Sequence, residues 1–262
     1  MRNIFTFGCF LLGTLSTVSV ARAQSVSGTD EPSYRKEFTY GINFNTRGGL
    51  VGGVALRSSR VLDEKWLRFW SVEGVEVKHP KEQRRPNQYT GGIYTNAKAN
   101  YLFVLRPSVG LERVIFRKAP DSGVQVNARL GGGPSIGLLM PYYIYYDYTP
   151  RDNRGVPVPP QDIRAEQYDP QKHPAQEFIV DRAPLFSGIN NTRPKLGAHL
   201  RGALSFEYGR YKDAVAGVET GFVVEAYAKE LTILKTALLD DKQLNNKFFP
   251  SVYLTIFLGN RN

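Results

Sequence analysis

The chain has 262 residues, of which 42% are hydrophobic and 12% aromatic, and its formal net charge is +10. This much apolar and aromatic surface argues against a disordered protein. The only cysteine is Cys9, which excludes a disulfide scaffold and a cysteine-ligated metal site. Outside the N-terminus no run of about 18 apolar residues occurs, so a helical membrane protein is excluded, whereas a membrane β-barrel is not. The length allows one large all-β unit.

The N-terminus has the features of a secretory signal peptide. Arg2 precedes an apolar stretch from Ile4 to Val20, and Ala21-Arg22-Ala23 fits a cleavage site. We therefore predict a signal peptide over residues 1–23, a periplasmic segment over 24–36 and a folded body over 37–262. Cys9 lies too early in the apolar stretch for a lipoprotein signal. An exported chain with scattered basic residues and no recognition module is not expected to bind nucleic acid.

Apolar and polar residues alternate with period two along most of the folded body, which is typical of β-strands. The stretch from Glu37 to Asn45 shows this most clearly, with Phe38 and Tyr40 on one face and Thr39 on the other. A change of phase at Val75-Glu76-Val77 predicts a β-bulge. The pattern predicts eight strands, at about residues 37–45, 50–57, 67–78, 100–110, 124–140, 196–208, 215–229 and 251–258.

The predicted connections differ in length between the two ends of the strands. One end has the long connections 79–99, 141–195 and 230–247, together with one tight turn at 47–49. The other end has the shorter connections 58–66, 111–123 and 209–214. This asymmetry is typical of outer-membrane barrels. We therefore predict an all-β, eight-stranded antiparallel transmembrane β-barrel with long extracellular loops and short periplasmic turns.

Membrane chemistry predicts which face of each strand points inward. In hydrocarbon every backbone polar group must be paired, so the strands must close into a barrel with their apolar faces toward lipid. The charged faces then meet in the lumen, where opposite charges must neutralise each other. An eight-stranded barrel has room for little beyond its own side chains, so we predict a plugged interior. The predicted lumen ion pairs involve Arg57, Glu73, Glu76, Arg106, Arg129, Arg201, Glu207, Glu219 and Glu225.

Several residues in the long loops are candidate surface contacts. A tyrosine-rich run follows the fifth strand, and it fits either an aromatic belt at the membrane surface or a hairpin tip that packs on its own loop. Basic residues in the second outer loop fit either contacts to lipopolysaccharide phosphates or a solvated loop. The candidates are Lys81, Arg84, Arg85, Tyr142, Tyr143, Tyr145 and Tyr146.

The loop 141–195 is rich in proline, which limits helix and favours extended, partly rigid structure. Loops of this length are usually functional or disordered. We therefore predict that a protein partner binds this loop, and the alternative is a passive surface loop.

The signal peptide, the eight alternating strands and two segments of the chain resemble the small outer-membrane β-barrel proteins of Gram-negative bacteria. The segments are Arg117-Lys118-Ala119-Pro120 followed by Gly123-Val124-Gln125-Val126-Asn127, and Gly133-Pro134-Ser135 leading to Pro141-Tyr142-Tyr143. The resemblance covers essentially the whole mature chain, and it implies an outer-membrane location with lipid and lipopolysaccharide as partners. That family contains structural proteins, adhesins, assembly factors and lipid-modifying enzymes. The chain departs from it by ending Leu258-Gly259-Asn260-Arg261-Asn262 instead of on an aromatic residue.

From these observations we predict a structural or surface-interaction protein that is not an enzyme and uses no cofactor. One alternative is a lipid A-modifying hydrolase, because Ser135 and His199 lie in the outer halves of neighbouring strands. However, His199 shares the inward face with Arg201, and no motif marks a nucleophile. A second alternative is a small transporter or a component of a secretion machinery.

Two further motifs have simpler explanations. The run Gly131-Gly132-Gly133-Pro134 lacks the lysine of a phosphate-binding loop, so we expect glycines in a bent strand. The histidines His79, His173 and His199 lack ligand spacing, and no metal site is expected.

Overall fold

The computed structural model describes residues 34–48, 52–117, 123–208 and 214–262. The predicted signal peptide, Cys9 and most of the predicted periplasmic segment lie outside the described residues, as do Lys118 to Pro120. Within the described residues no helix is long and apolar enough to cross a membrane. The strands are β1 (Lys36–Asn45), β2 (Gly53–Val61), β3 (Trp66–Val77), β4 (Gln83–Pro86), β5 (Ile93–Asn96), β6 (Asn100–Phe116), β7 (Val124–Pro141), β8 (Tyr143–Asp147), β9 (Ile163–Gln167), β10 (Ile179–Arg182), β11 (Arg193–Tyr208), β12 (Ala214–Tyr227) and β13 (Phe248–Arg261).

Eight of these strands form a closed antiparallel barrel in the order β1-β13-β12-β11-β7-β6-β3-β2. Strand β1 pairs with β2 on one side and with β13 on the other, so the first and last strands close the barrel. The predicted fold class is confirmed. The remaining strands belong to the loops, as a three-stranded sheet β10-β8-β9 and a hairpin β4-β5. The loops also contain the single-turn helix α1 (Asp241–Leu244) and two 3₁₀ turns, Gln176–Phe178 and Ile189–Asn191.

The barrel wall is apolar outside and polar inside, the reverse of a soluble protein. Leu196 and Val109 on the outer face are 73% and 67% exposed, whereas Glu219 on the inner face is 1% exposed. The predicted alternation therefore separates the two faces correctly in the barrel strands, except at the end of β3. An apolar outer band with a polar interior is the arrangement of a transmembrane β-barrel.

The connections separate by length, as predicted. We call the end with the short connections, such as residues 62–65 between β2 and β3, the turn end. The loop end has three long connections, 78–99, 142–192 and 228–247. Several strands are longer than predicted, and β11 begins at Arg193 instead of residue 196. Residues 111–116 continue β6, and β13 extends to Arg261.

Two glycines leave space for an aromatic ring inside the barrel. Gly110 and Gly131 are paired across β6 and β7. A Cβ atom on Gly110 would lie 2.6 Å from Cζ of Phe69, and one on Gly131 would lie 2.7 Å from the same atom. The ring of Phe69 therefore occupies the space that side chains would need. Residues 131–133 belong to the uninterrupted strand β7, as expected for strand glycines.

Candidate functional site

Glu219 on β12 is the centre of the charge network in the lumen. Its Oε2 atom lies 2.5 Å from Nη2 of Arg57 and 2.5 Å from Nη1 of Arg129. Its Oε1 atom lies 3.4 Å from Nη2 of Arg201 and accepts a hydrogen bond of 2.6 Å from the hydroxyl of Tyr253. One carboxylate thus faces three guanidinium groups from β2, β7 and β11.

A second group of charges lies around Glu73 on β3. Nη1 of Arg106 lies 3.2 Å from Oε2 of Glu73, and Nη2 of the same arginine lies 2.5 Å from Oε2 of Glu225. Arg201 connects this group to Glu219, because its Nη1 atom lies 3.6 Å from Oε2 of Glu73. Asn43 donates a hydrogen bond of 2.7 Å to Oε1 of Glu73. The lumen charges therefore form a continuous network.

The network extends to the turn end through residues that the sequence analysis missed. Arg261 on β13 contacts Glu207 and lies 2.7 Å from Oε2 of Glu37. Nε of Arg129 lies 2.8 Å from Oε2 of Glu112. Glu112 fell in a predicted connection and Arg261 beyond the last predicted strand. The alternation of apolar and polar residues continues past residues 110 and 258, and following it further would have predicted inward positions for both residues.

The structure places all but one of the predicted lumen residues inside the barrel. Those facing the lumen are Arg57, Glu73, Arg106, Arg129, Arg201, Glu207, Glu219 and Glu225. The exception is Glu76, and the β-bulge predicted beside it is wrong too. Strand β3 pairs with β2 and β6 without a register shift, so Val75 and Val77 face inward and Glu76 faces outward. The Oε2 atom of Glu76 lies 4.0 Å from Nζ of Lys78.

Val75 and Val77 can face inward because the lumen near the loop end is lined by apolar instead of charged side chains. There the connection 228–247 contributes Leu231, Ile233 and Leu234 to a buried apolar cluster. The amide oxygen of Asn245 holds this segment by accepting hydrogen bonds of 2.9 Å from the backbone N–H groups of Ile233 and Leu234. We call the cluster the apolar plug; it consists of Val75, Val77, Leu102, Val104, Leu139, Tyr227, Leu231, Ile233, Leu234, Leu244 and Phe249.

The first two long loops pack together into one ordered unit, residues 79–99 and 142–192, which we call the loop platform. The side-chain amide of Asn87 donates hydrogen bonds of 2.9 and 2.7 Å to the carbonyls of Glu177 and Ile179. The backbone N–H of Thr95 donates one of 2.9 Å to the hydroxyl of Tyr142. The platform and the adjoining barrel rim share an aromatic core of Tyr94, Tyr101, Met140, Tyr142, Ile144, Tyr146, Tyr168 and Ile179.

This core corrects part of the surface-contact prediction. Tyr142 and Tyr146 are buried, so their assignment as surface contacts is wrong. Tyr142 directly precedes β8, and the half-buried Tyr143 and Tyr145 lie on the opposite face of this segment. The tyrosine run is therefore a strand that packs on its own loops. Of the remaining candidates, Lys81, Arg84 and Arg85 are exposed in the platform.

A buried histidine lies in the same core. The side chain of His173 is 1% exposed, and its ring centroid lies 4.7 Å from that of Tyr146. Its Nδ1 atom accepts a hydrogen bond of 3.1 Å from the backbone N–H of Asp169, and Nε2 lies 3.7 Å from Oε2 of Glu166. Burial lowers the pKa of His173 below its usual range. Among the described residues, no group of three or more histidine, cysteine and acidic side chains is arranged to hold a metal ion.

Ser135 and His199, the residues of the hydrolase alternative, are in contact. Oγ of Ser135 lies 3.0 Å from Nδ1 of His199, and Oγ of Ser108 lies 2.8 Å from Nε2. All three side chains are buried in the lumen, as the shared face of His199 and Arg201 predicts. Both ring nitrogens therefore contact serines on the side of the wall away from lipid.

A cleft opens at the rim of the barrel between the connections 142–192 and 228–247. Its volume is about 740 Å³, and its lining includes the basic residues Lys172, Arg193, Lys195 and Lys235. Nζ of Lys235 lies 3.1 Å from Oδ2 of Asp169. Arg193 and Lys195 are exposed at the start of β11. We call this site the basic cleft.

Comparison with known proteins gives similarity to solved structures only. No family model and no curated protein matches the chain. Two crystal structures of Ail, the attachment invasion locus protein of Yersinia pestis, align with 87% of this chain and 97% of the Ail chain at 8% identity. The TM-score is 0.36 for Ail alone and 0.35 for Ail in complex with the heparin analogue sucrose octasulfate.

Proposed function

We propose that this chain is an integral outer-membrane protein whose barrel carries a surface-interaction site on its loops. The observation that carries this proposal is the loop platform, which has its own buried aromatic core and sits on a barrel with an apolar outer wall. Ordered loops on a rigid scaffold are a common form of binding site. In this arrangement the loop end faces outside the cell and the turn end faces the periplasm.

The contents of the lumen support a structural or interaction role over transport. The charge network around Glu219 fills the middle of the barrel, and the apolar plug fills it near the loop end. Planar-bilayer recordings of the purified protein should therefore show no stable large conductance. A reproducible wide channel would favour the transporter alternative instead.

The basic cleft is the part of the loop end best suited to bind a partner. Lys172, Arg193 and Lys195 have no carboxylate within 4 Å among the residues that the structure describes. A phosphate or carboxylate group of a surface partner would neutralise them, and arginine is well suited to bind such groups in a bidentate manner. Lipopolysaccharide phosphates and an acidic partner protein both have this chemistry.

The proposal is tested first by location and then by partner capture. The full-length protein should fractionate with outer membranes and migrate differently in gels before and after heating. Recovery as a soluble periplasmic protein would contradict the proposal. Removing residues 149–190 should leave an inserted barrel that no longer captures surface partners by crosslinking, and capture that survives the deletion would contradict the interaction site.

Charge substitutions at the loop end locate the contact. The double variant Arg193→Gln/Lys195→Gln should reduce capture, whereas Arg84→Gln/Arg85→Gln on strand β4 removes the same charge away from the cleft. If only the second variant loses capture, the contact lies on the β4-β5 hairpin and not in the cleft. Hydrolysis of lipid A by the purified barrel in detergent, lost in Ser135→Ala, would replace the proposal with the enzyme alternative.

A further inference from the structure

The outer face of the barrel has very few ionised side chains, and they are unevenly placed. On the outward face of the described strand residues we find Lys36, Arg60, Arg68 and Arg113 at the turn end and Glu76 at the loop end. The outward positions of β7, β11, β12 and β13 carry none. Among the described strand residues, the outward cations are therefore confined to one wall, formed by β1, β2, β3 and β6.

Three of these cations form a row across neighbouring strands. Lys36 is in register with Arg60, and Arg60 is in register with Arg68. Side chains directly opposite on the same face of antiparallel strands have Cβ atoms about 5 Å apart, and like charges in such positions repel each other. An anion beside the row would relieve this repulsion.

The described part of the chain does not supply that anion. No carboxylate of a described residue lies within 4 Å of the charged groups of Lys36, Arg60 or Arg68. Glu37 follows Lys36 in the chain, but it faces the lumen, where it pairs with Arg261. The acidic residues closest in the chain to Arg60 and Arg68 are Asp63 and Glu64, in the turn between β2 and β3. Oδ1 of Asp63 accepts hydrogen bonds of 2.9 Å from the backbone N–H groups of Lys65 and Trp66, and this carboxylate therefore stabilises the turn.

Tryptophan side chains show the depth of the row in the membrane. Trp66 and Trp70 flank Arg68 on the outer face of β3, and Trp70 is 52% exposed. The guanidinium of Arg113 lies 5.5 Å from the ring centroid of Trp66. Tryptophan is enriched where hydrocarbon meets headgroups, so the row lies at the level of lipid phosphates.

We propose that Lys36, Arg60 and Arg68, with Arg113 beside them, bind the phosphate groups of anionic phospholipids in the periplasmic leaflet. This inference rests on the proposed membrane insertion. Two guanidinium groups in one row can each donate paired hydrogen bonds to phosphate oxygens, and Lys36 adds a third charge. Phospholipid thereby neutralises this wall of the barrel.

The test compares lipids that the full-length protein retains. The protein is inserted into nanodiscs of mixed phosphatidylglycerol and phosphatidylcholine, released, and analysed by native mass spectrometry for bound lipid. We expect the wild type to be enriched in phosphatidylglycerol, and Arg60→Gln/Arg68→Gln to lose about tenfold or more of that enrichment. Arg84→Gln/Arg85→Gln, which removes the same charge at the loop end, should keep it. Arg60→Lys/Arg68→Lys should retain part of it, because the charges remain.

The outcomes separate this inference from the proposed function. A wild type that inserts but retains both lipids equally overturns the inference and leaves membrane insertion intact. Equal enrichment in the wild type and Arg60→Gln/Arg68→Gln also overturns it. Should that double variant fail to insert, the single variant Arg113→Gln must show reduced enrichment for the inference to stand. A wild type that inserts into no bilayer overturns the proposed function and the inference together.

Discussion

The lumen and the loop end of this protein are held together by different chemistry. In the lumen, arginine and glutamate side chains from separate strands neutralise each other, as Glu219 does with Arg57 and Arg129. At the loop end, the apolar plug and the aromatic core of the loop platform are built mainly from leucine, isoleucine, valine and tyrosine side chains.

The difference follows from what each region must do. Side chains inside the middle of a membrane barrel are fixed by strand register, so charges can be matched with geometric accuracy. At the loop end the sheets are short, and non-directional apolar packing holds loops of irregular shape together. Substitutions in the two regions should therefore cause losses of stability that differ in size and in their dependence on pH.

The largest effect is expected at the centre of the charge network. Glu219→Gln leaves Arg57 without a carboxylate within 4 Å among the described residues, while Arg129 and Arg201 keep Glu112 and Glu73. Breaking a buried pair by removing one partner costs about 3–5 kcal/mol. Urea titration in detergent, followed by tryptophan fluorescence, should show this loss of unfolding free energy. Glu76→Gln on the outer face is the matched control, and an equal loss there would contradict the network.

A smaller loss is expected in the apolar plug. Ile233→Ala removes a fully buried side chain from the plug, and such truncations cost about 2 kcal/mol or more. The loss of unfolding free energy should be close to about 2 kcal/mol, because the loop can relax into the space that the side chain leaves. Leu238→Ala on the same connection, where the side chain is 93% exposed, should leave the urea midpoint unchanged. If the two variants behave alike, Ile233 does not pack in the plug.

The platform should lose stability in mild acid. Burial lowers the pKa of His173 in the folded state, so below the unfolded pKa of about 6.5 the unfolded chain binds a proton that the folded platform does not. The contribution of His173 to platform stability is therefore fully present above that pH, and it decreases as the pH falls below it. Limited proteolysis of the loops should become faster between pH 7 and pH 5.

The substitution His173→Phe should remove most of this pH dependence. His79 in the first long loop also has a lowered pKa, caused mainly by burial, so His79→Gln measures its separate contribution. Proteolysis that accelerates equally in wild type and His173→Phe would assign the effect to another group.

The smallest effect is expected at the surface of the platform. Arg164 lies 2.5 Å from Asp162, but its side chain is 58% exposed. Exposed ion pairs contribute little because water screens them. Arg164→Ala should therefore give the same urea midpoint and the same proteolysis rate as the wild type. A clear decrease would mean that this exposed ion pair stabilises the platform.

The alternation in the sequence predicts the barrel well because lipid imposes the same demand on every outward position. Phe38, Leu204 and Ile256 are all exposed on that face. The prediction failed at Glu76 because the interior changes from charged to apolar near the loop end. Val75 and Val77 then looked like a change of face, although the strand continues without a bulge.

The partners inside the barrel could not be predicted from the sequence. Glu219 contacts arginines from β2, β7 and β11, and only the stagger of a closed barrel brings these strands to one point. The prediction for Tyr142 and Tyr146 failed for a similar reason. Their burial depends on β9, β10 and the β4-β5 hairpin covering them, and nothing in the tyrosine run itself indicates those neighbours.

The seam between β1 and β13 also has a consequence for the order in which the molecule folds. Arg261 bonds to Glu37 across 224 residues of chain, and Asn43 to Thr255 across 212. Contacts this distant in sequence form slowly, because closing a long loop loses chain entropy before strand pairing can offset that loss. Until the seam forms, both strands expose an unpaired edge. Hairpins such as β11-β12 can assemble early, whereas closure is a late event that requires both ends of the barrel sequence at once.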